Sequence, residues 1–354
     1  MKRIITIALA LLTLAACSKD YLKENDKGKV IDFRAALTKV VETNTQNFDE
    51  FVATAQYADG TCFFENEVFE RLGQYYSSGT DYYWPTDGTT LYFYAWAPEM
   101  EKIGGTLTLN SNNKTLTGFT TNPNISEQVD FISAVGSGNI NTAATGVELN
   151  FKHNLSQIEI KSRSEKGGYK YEIKGIRIAN VLSSGDFDFE TGTWSNVGTK
   201  TNYSVEYPSR TINEVSSSLM MTNGDNAMLL PQDITPWDPV IDPTNEAKGA
   251  YIAVLASIST TLGAKIYPLE RDYDWIAVPL GNGIVNSWES GLKYVYTLDW
   301  STGGGYVYPE KPDYGDDYQG IDIFTAGMKI MSSTIDLGIK VNSWDYYYNV
   351  QTPM

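Results

Sequence analysis

The chain has 354 residues, with 43 acidic against 27 basic side chains and a formal net charge of −16, a balance that argues against nucleic acid or any other phosphate-rich partner. A single histidine and two cysteines leave almost nothing for a zinc cluster, and a Ser-His-Asp arrangement would have to use His153. The 24 tyrosines, 13 phenylalanines and 8 tryptophans suit the pleated, half-buried surfaces of strands.

At the start, Lys2 and Arg3 precede an apolar run, 4–14, that is too short to span a bilayer and ends on small residues. That order predicts a secretory signal peptide over 1–16. Its end, Leu14-Ala15-Ala16-Cys17, resembles the bacterial lipoprotein box, which implies that diacylglycerol is attached to the Cys17 thiol and the chain is cut just before it. The polar stretch that follows, within 17–29, predicts a flexible tether between lipid and fold. Cys62 adjoins Phe63 and Phe64 rather than a base, so it is expected as a small buried apolar residue, without a disulfide partner once Cys17 is lipidated.

Short β-branched or aromatic runs then follow at 30–33, 48–57, 89–98, 105–109 and 129–135, punctuated by Gly, Asn, Asp and Pro. Short helices are expected only near 35–41 and 216–220. A polar stretch at 137–146 separates this series from a second one that begins with VELNFKHNLSQIEIK and closes with IDLGIKVNSW. Strands at this spacing predict an all-β protein built from sandwiches, divided near Gly146 into units 30–146 and 147–354. His153 alternates with Phe151 and Leu155, so it is expected as a structural histidine on a strand; no G-x-S-x-G motif lies nearby. The loop 308–320 carries Asp313, Asp316 and Asp317 without the ligand spacing of a calcium loop and is expected as a solvated turn. No cofactor, metal or catalytic motif is present, and no enzyme is expected.

Several segments, taken in order, resemble the fimbrillin family of type V pilus subunits: the lipoprotein box, TDYYWPTDGTTLYFYAWAP (80–98), FKHNLSQIEIK (151–161), AMLLPQ (227–232), YVYTLDW (294–300) and IKVNSW (339–344). The resemblance implies two tandem transthyretin-like β-sandwich domains on an outer-membrane, surface-exposed lipoprotein. It also implies assembly with other pilus subunits by β-strand addition into a fimbrium. In that scheme a trypsin-like protease removes the N-terminal strand, with Arg34 and Lys39 as candidate cleavage positions, and a C-terminal segment of a neighbour fills the groove. Family pilins tend to carry an arginine beyond the strand, whereas here Arg34 directly follows Phe33 and ALTK supplies only Lys39. The tail 339–354 is the candidate donor, through the alternating Tyr346, Tyr348 and Val350. The receptor of such an adhesin is not named by any motif. The alternative is a surface glycan-binding lipoprotein whose platform would use Tyr75-Tyr76, Tyr82-Tyr83-Trp84 and Tyr346-Tyr347-Tyr348.

Overall fold

Strands dominate because β-branched and aromatic residues alternate with polar ones between turn-forming residues, a pattern that fits a pleated surface better than a helix. The computed structural model describes residues 28–37, 49–143, 145–195, 198–212, 218–219, 226–281, 283, 285–311 and 323–344. Among these the chain runs through β1 (Phe33–Leu37), β2 (Glu50–Gln56), β3 (Cys62–Leu72), β4 (Tyr75–Ser77), β5 (Leu91–Ala97), α1 (Met100–Ile103), β6 (Thr106–Leu109), β7 (Lys114–Thr120), β8 (Ile132–Gly138) and β9 (Val147–His153). It continues through β10 (Ser156–Arg163), β11 (Tyr169–Leu182), β12 (Ser184–Asp188), β13 (Thr193–Ser195), β14 (Lys200–Ile212), β15 (Ser218–Leu219), β16 (Ala227–Leu229) and β17 (Gln232–Asp233). The last strands are β18 (Tyr251–Thr260), β19 (Lys265–Tyr267), β20 (Asp274–Pro279), β21 (Ser287–Trp288), β22 (Leu292–Asp299), β23 (Tyr306–Val307) and β24 (Asp336–Ser343). The protein is all-β. The expected helices are corrected: Ala35 lies in β1, and Ser218–Leu219 forms β15 against Lys161 and Ser162. The one short α-helix among the described residues is α1.

β1, β4, β3, β2, β5, β8 and β9 close in that order into a barrel, the limiting form of a sandwich whose edges meet. Leu91, Phe93, Ala95 and Ala97 of β5 fill its interior, while Tyr94 and Trp96 join a second cluster with Leu116, Phe119 and Phe187. The sheet β13-β12-β7-β6 therefore covers this wall, which is why β5 is almost continuously apolar. Its β7–β12 ladder, with Leu116 opposite Phe187, ties residues from both halves of the chain together. On β9 the alternation is strict: Val147, Leu149 and Phe151 are buried, and Glu148, Asn150 and Lys152 are exposed. That wall faces water.

The chain passes from barrel to sandwich between His153 and Ser156, where the alternation changes phase: Phe151 serves the barrel core, Ile158 and Ile160 the next one. There the sheets β14-β11-β18-β20-β23 and β15-β10-β22-β24 face each other across Ile158, Ile176, Ile252, Val254, Tyr296 and Leu298. β10 and β22 pair in parallel from Gln157–Lys293 to Arg163–Asp299.

Tyrosines buried in and around these sheets give a pH signature. Burial pushes the Tyr171 and Tyr308 phenols from an ordinary 10.0 up to about 12, and raises those of Tyr203, Tyr207 and Tyr296 as well. The folded state thus keeps protons that the unfolded chain releases above pH 10, so stability is undiminished below that pH and falls as pH climbs beyond it. In an alkaline titration, tyrosinate absorbance from the buried set should rise together with loss of near-ultraviolet circular dichroism. Buried tyrosines that titrate near the ordinary pH 10 while the fold stays intact would contradict this.

Candidate functional site

Residues 29–37 lay an extended segment into the seam of the barrel. Ile31, Phe33 and Ala35 are 3%, 0% and 6% exposed and enter the interior, whereas Arg34 points to solvent. The segment is held in two stages. First, the Ile31 N–H donates to the Tyr82 carbonyl at 2.7 Å and the Trp84 N–H donates to the Lys29 carbonyl at 3.0 Å, around a Val30–Tyr83 bridge. Then β1 runs parallel to β9 in the register Phe33–Val147, Ala35–Leu149 and Leu37–Phe151, introduced by the Val147 N–H donating to the Asp32 carbonyl at 2.8 Å. On its other side β1 is in register with β4 at the single pair Phe33–Tyr76 among the described residues.

Gly146 permits this close approach. Its φ is +94°, and a Cβ there would stand 3.1 Å from the Asp32 carbonyl oxygen and 3.2 Å from Arg34 Cγ, so a larger residue would press on β1. The Phe33 ring is the hub of the interior: its centroid lies 4.7 Å from Phe69, 5.1 Å from Phe93 and 5.7 Å from Phe51, at interplanar angles of 74°, 86° and 89°. Edge-to-face contacts of this kind add to simple burial. Outside, Arg34 lies 3.9 Å from Glu148 and 3.5 Å from the Thr145 hydroxyl, an exposed pair that contributes little. Chemically, the seam holds a strand through backbone pairing and apolar side-chain sites. Without β1, the β9 and β4 edges would present unpaired N–H and C=O groups beside an apolar trough.

Of the residues singled out in the sequence, Arg34 falls within β1 rather than beyond it, because the strand continues to Leu37. Cys17, Lys39, Asp313, Asp316, Asp317, Tyr346, Tyr348 and Val350 lie outside the described residues. Cys62, expected as a partnerless apolar residue, opens β3 half-buried and disulfide-bonded, which corrects that expectation. One sulfur holds one such bond, so a chain with a single other cysteine carries either this disulfide or a lipidated Cys17. Of the aromatic platform, Tyr76 and Trp84 are corrected, at 2% and 1% exposure with their rings in the barrel core, while Tyr75 is 41% exposed. His153 is structural, as its alternation predicts. It ends β9 with Nδ1 2.6 Å from Asp130 Oδ2, and its ring stacks on Trp344 at 4.0 Å and 12°. The Trp344 N–H donates to the Gly291 carbonyl at 3.0 Å, fixing where the chain leaves β24. The central role of Phe33 was missed, although the alternation Ile31-x-Phe33-x-Ala35-x-Leu37 carries its signal.

A family model described as fimbrillin-like matches residues 34–307, and one described as a prokaryotic membrane lipoprotein lipid attachment site matches residues 1–18. No curated protein matches the chain in sequence. Among solved structures, a fimbrial protein from Bacteroides vulgatus shares the fold at a TM-score of 0.56 and 15% identity, over 89% of this chain and 99% of its own. A candidate cell adhesion protein from Bacteroides uniformis does so at a TM-score of 0.51 and 14% identity, over 89% and 99% of the two chains.

Proposed function

Because the chain belongs to the fimbrillin-like family, we propose that it is a structural subunit or adhesin of a type V pilus, delivered to the outer-membrane surface as a lipoprotein and assembled by strand exchange after N-terminal processing. The lipid attachment site and the family support a membrane-anchored surface protein. The observation that carries the finer reading is the seating of residues 29–37. This segment, the first among the described residues, fills the barrel core through Ile31, Phe33 and Ala35 and pairs with the solvated strand β9. A segment bound by a parallel ladder to β9, a few antiparallel contacts on its other side and alternate side-chain sites is what an incoming strand of another subunit can replace, with the same kinds of bond.

In this reading Cys17 carries the lipid of the precursor. Of the two basic residues, Lys39 is the better processing position. A cut after Arg34 would leave Ala35–Leu37 in the trough, whereas a cut after Lys39 would free all of β1. The C-terminal segment with Tyr346, Tyr348 and Val350 serves as donor toward a neighbouring subunit. N-terminal mass spectrometry of protein extracted from the cell surface tests this. The expected mature form begins at Val40. A population that begins only at lipidated Cys17 would count against a processed subunit.

A further inference from the structure

β1 shows what its trough accepts. The Ile31 site holds an aliphatic side chain at 3% exposure, and the Ala35 site, opposite the fully buried Leu149, holds a single methyl at 6%. Between them the Phe33 site is lined by the rings of Phe51, Phe69 and Phe93, with the buried Tyr76 beside it on β4. A hydroxyl placed among these rings would lose its water at a cost. A larger side chain at the Ala35 site would overpack a filled core.

Resting on the strand-exchange reading above, we propose that this trough selects its donor by a three-site code, read parallel to β9: an aliphatic residue, then two residues on a phenylalanine, then two residues on an alanine. The occupant is a segment of a different subunit type, because this chain's own tail does not satisfy the code. Aligned residue for residue, Tyr346, Tyr348 and Val350 place a phenol in the Ile31 site, a second phenol in the Phe33 site and an isopropyl group in the Ala35 site. Sliding the tail by two puts Val350 where Phe33 sits and leaves much of that site empty. Shifting it by one turns Tyr347, Asn349 and Gln351 inward, two of them amides without partners. The protein therefore occupies a junction between unlike subunits instead of repeating along a uniform shaft.

The test uses the unprocessed chain from Ser18 onward, with a specific protease sequence inserted between Leu37 and Glu50, folded first and then nicked. Fluorescently labelled peptides are offered, and entry into the trough is followed by anisotropy. A peptide of residues 29–37 should exchange into the nicked protein. Its Phe33→Tyr and Ala35→Val versions should each bind about tenfold more weakly. A peptide of residues 345–354 should bind at least on the order of a hundredfold more weakly, as its three mismatches would combine. If the tail peptide enters as tightly as the β1 peptide, the selection code is overturned and strand exchange stands. If the β1 peptide itself does not re-enter the nicked protein, strand exchange fails and the code with it.

Discussion

Phe33→Ala lowers the stability of the full chain by about 3–5 kcal/mol. The ring is 0% exposed and meets Phe51, Phe69 and Phe93 together, so its removal loses both the transfer of a whole phenyl group and three aromatic contacts. The cavity would lie between large rings whose backbones are fixed by the β2–β3 and β2–β5 ladders, which limits collapse. Asp32→Ala is the control. It leaves the carbonyl that accepts from the Val147 N–H in place, and should stay within about 0.5 kcal/mol of the parent. Denaturant unfolding followed by tryptophan fluorescence measures both. A Phe33→Ala loss below about 1 kcal/mol would mean that the interior closes over the gap, and that β1 is held chiefly by its ladder.

The division of labour within the barrel was readable only in part. The run around Leu91–Ala97 announces a buried strand because both faces are covered, and the strict alternation of Val147–His153 announces one covered face. β3 escaped notice because Glu65, Glu67 and Glu70 interrupt it and because its pairing with β2 shifts register between Ala53 and Gln56, where Asn66 takes φ +52°. Ala35, Ala36 and Leu37 are good helix formers, yet β9 supplies them with a parallel ladder, and tertiary pairing outweighs local preference. Pairings so distant in sequence, β1 with β9 and β7 with β12, leave no periodic trace. The same limit applies to the site: a trough is a relation between strands, and the only part of it written locally is the alternation of Ile31, Phe33 and Ala35.

If the chain is processed as proposed, Lys39→Ala is expected to abolish release of the lipid-bearing segment by a trypsin-type protease, and Arg34→Ala to leave release unchanged. A protease binds its substrate as an extended strand, so the backbone around the scissile bond must be free of other ladders. Arg34 is paired with Glu148 in the middle of β1, flanked by the buried Phe33 and Ala35. Cutting there requires β1 to leave the barrel first. A local opening of about 4 kcal/mol, modest for a strand that seats a buried phenylalanine, slows such cleavage roughly 1,000-fold. Lys39 stands two residues past the end of β1 and is the only basic residue between Leu37 and Glu50. The position of the cut also decides what remains: after Lys39 the body keeps no part of β1, so the trough is empty along its whole length. After Arg34, Ala35–Leu37 would still cover Leu149 and Phe151, and an incoming strand would find half of its ladder taken. Mass analysis of the two variants after protease treatment of intact cells separates the cases. Retention of the lipid-linked form in Arg34→Ala, with normal release in Lys39→Ala, would place the cut inside β1 and require the strand to leave the barrel before it is severed.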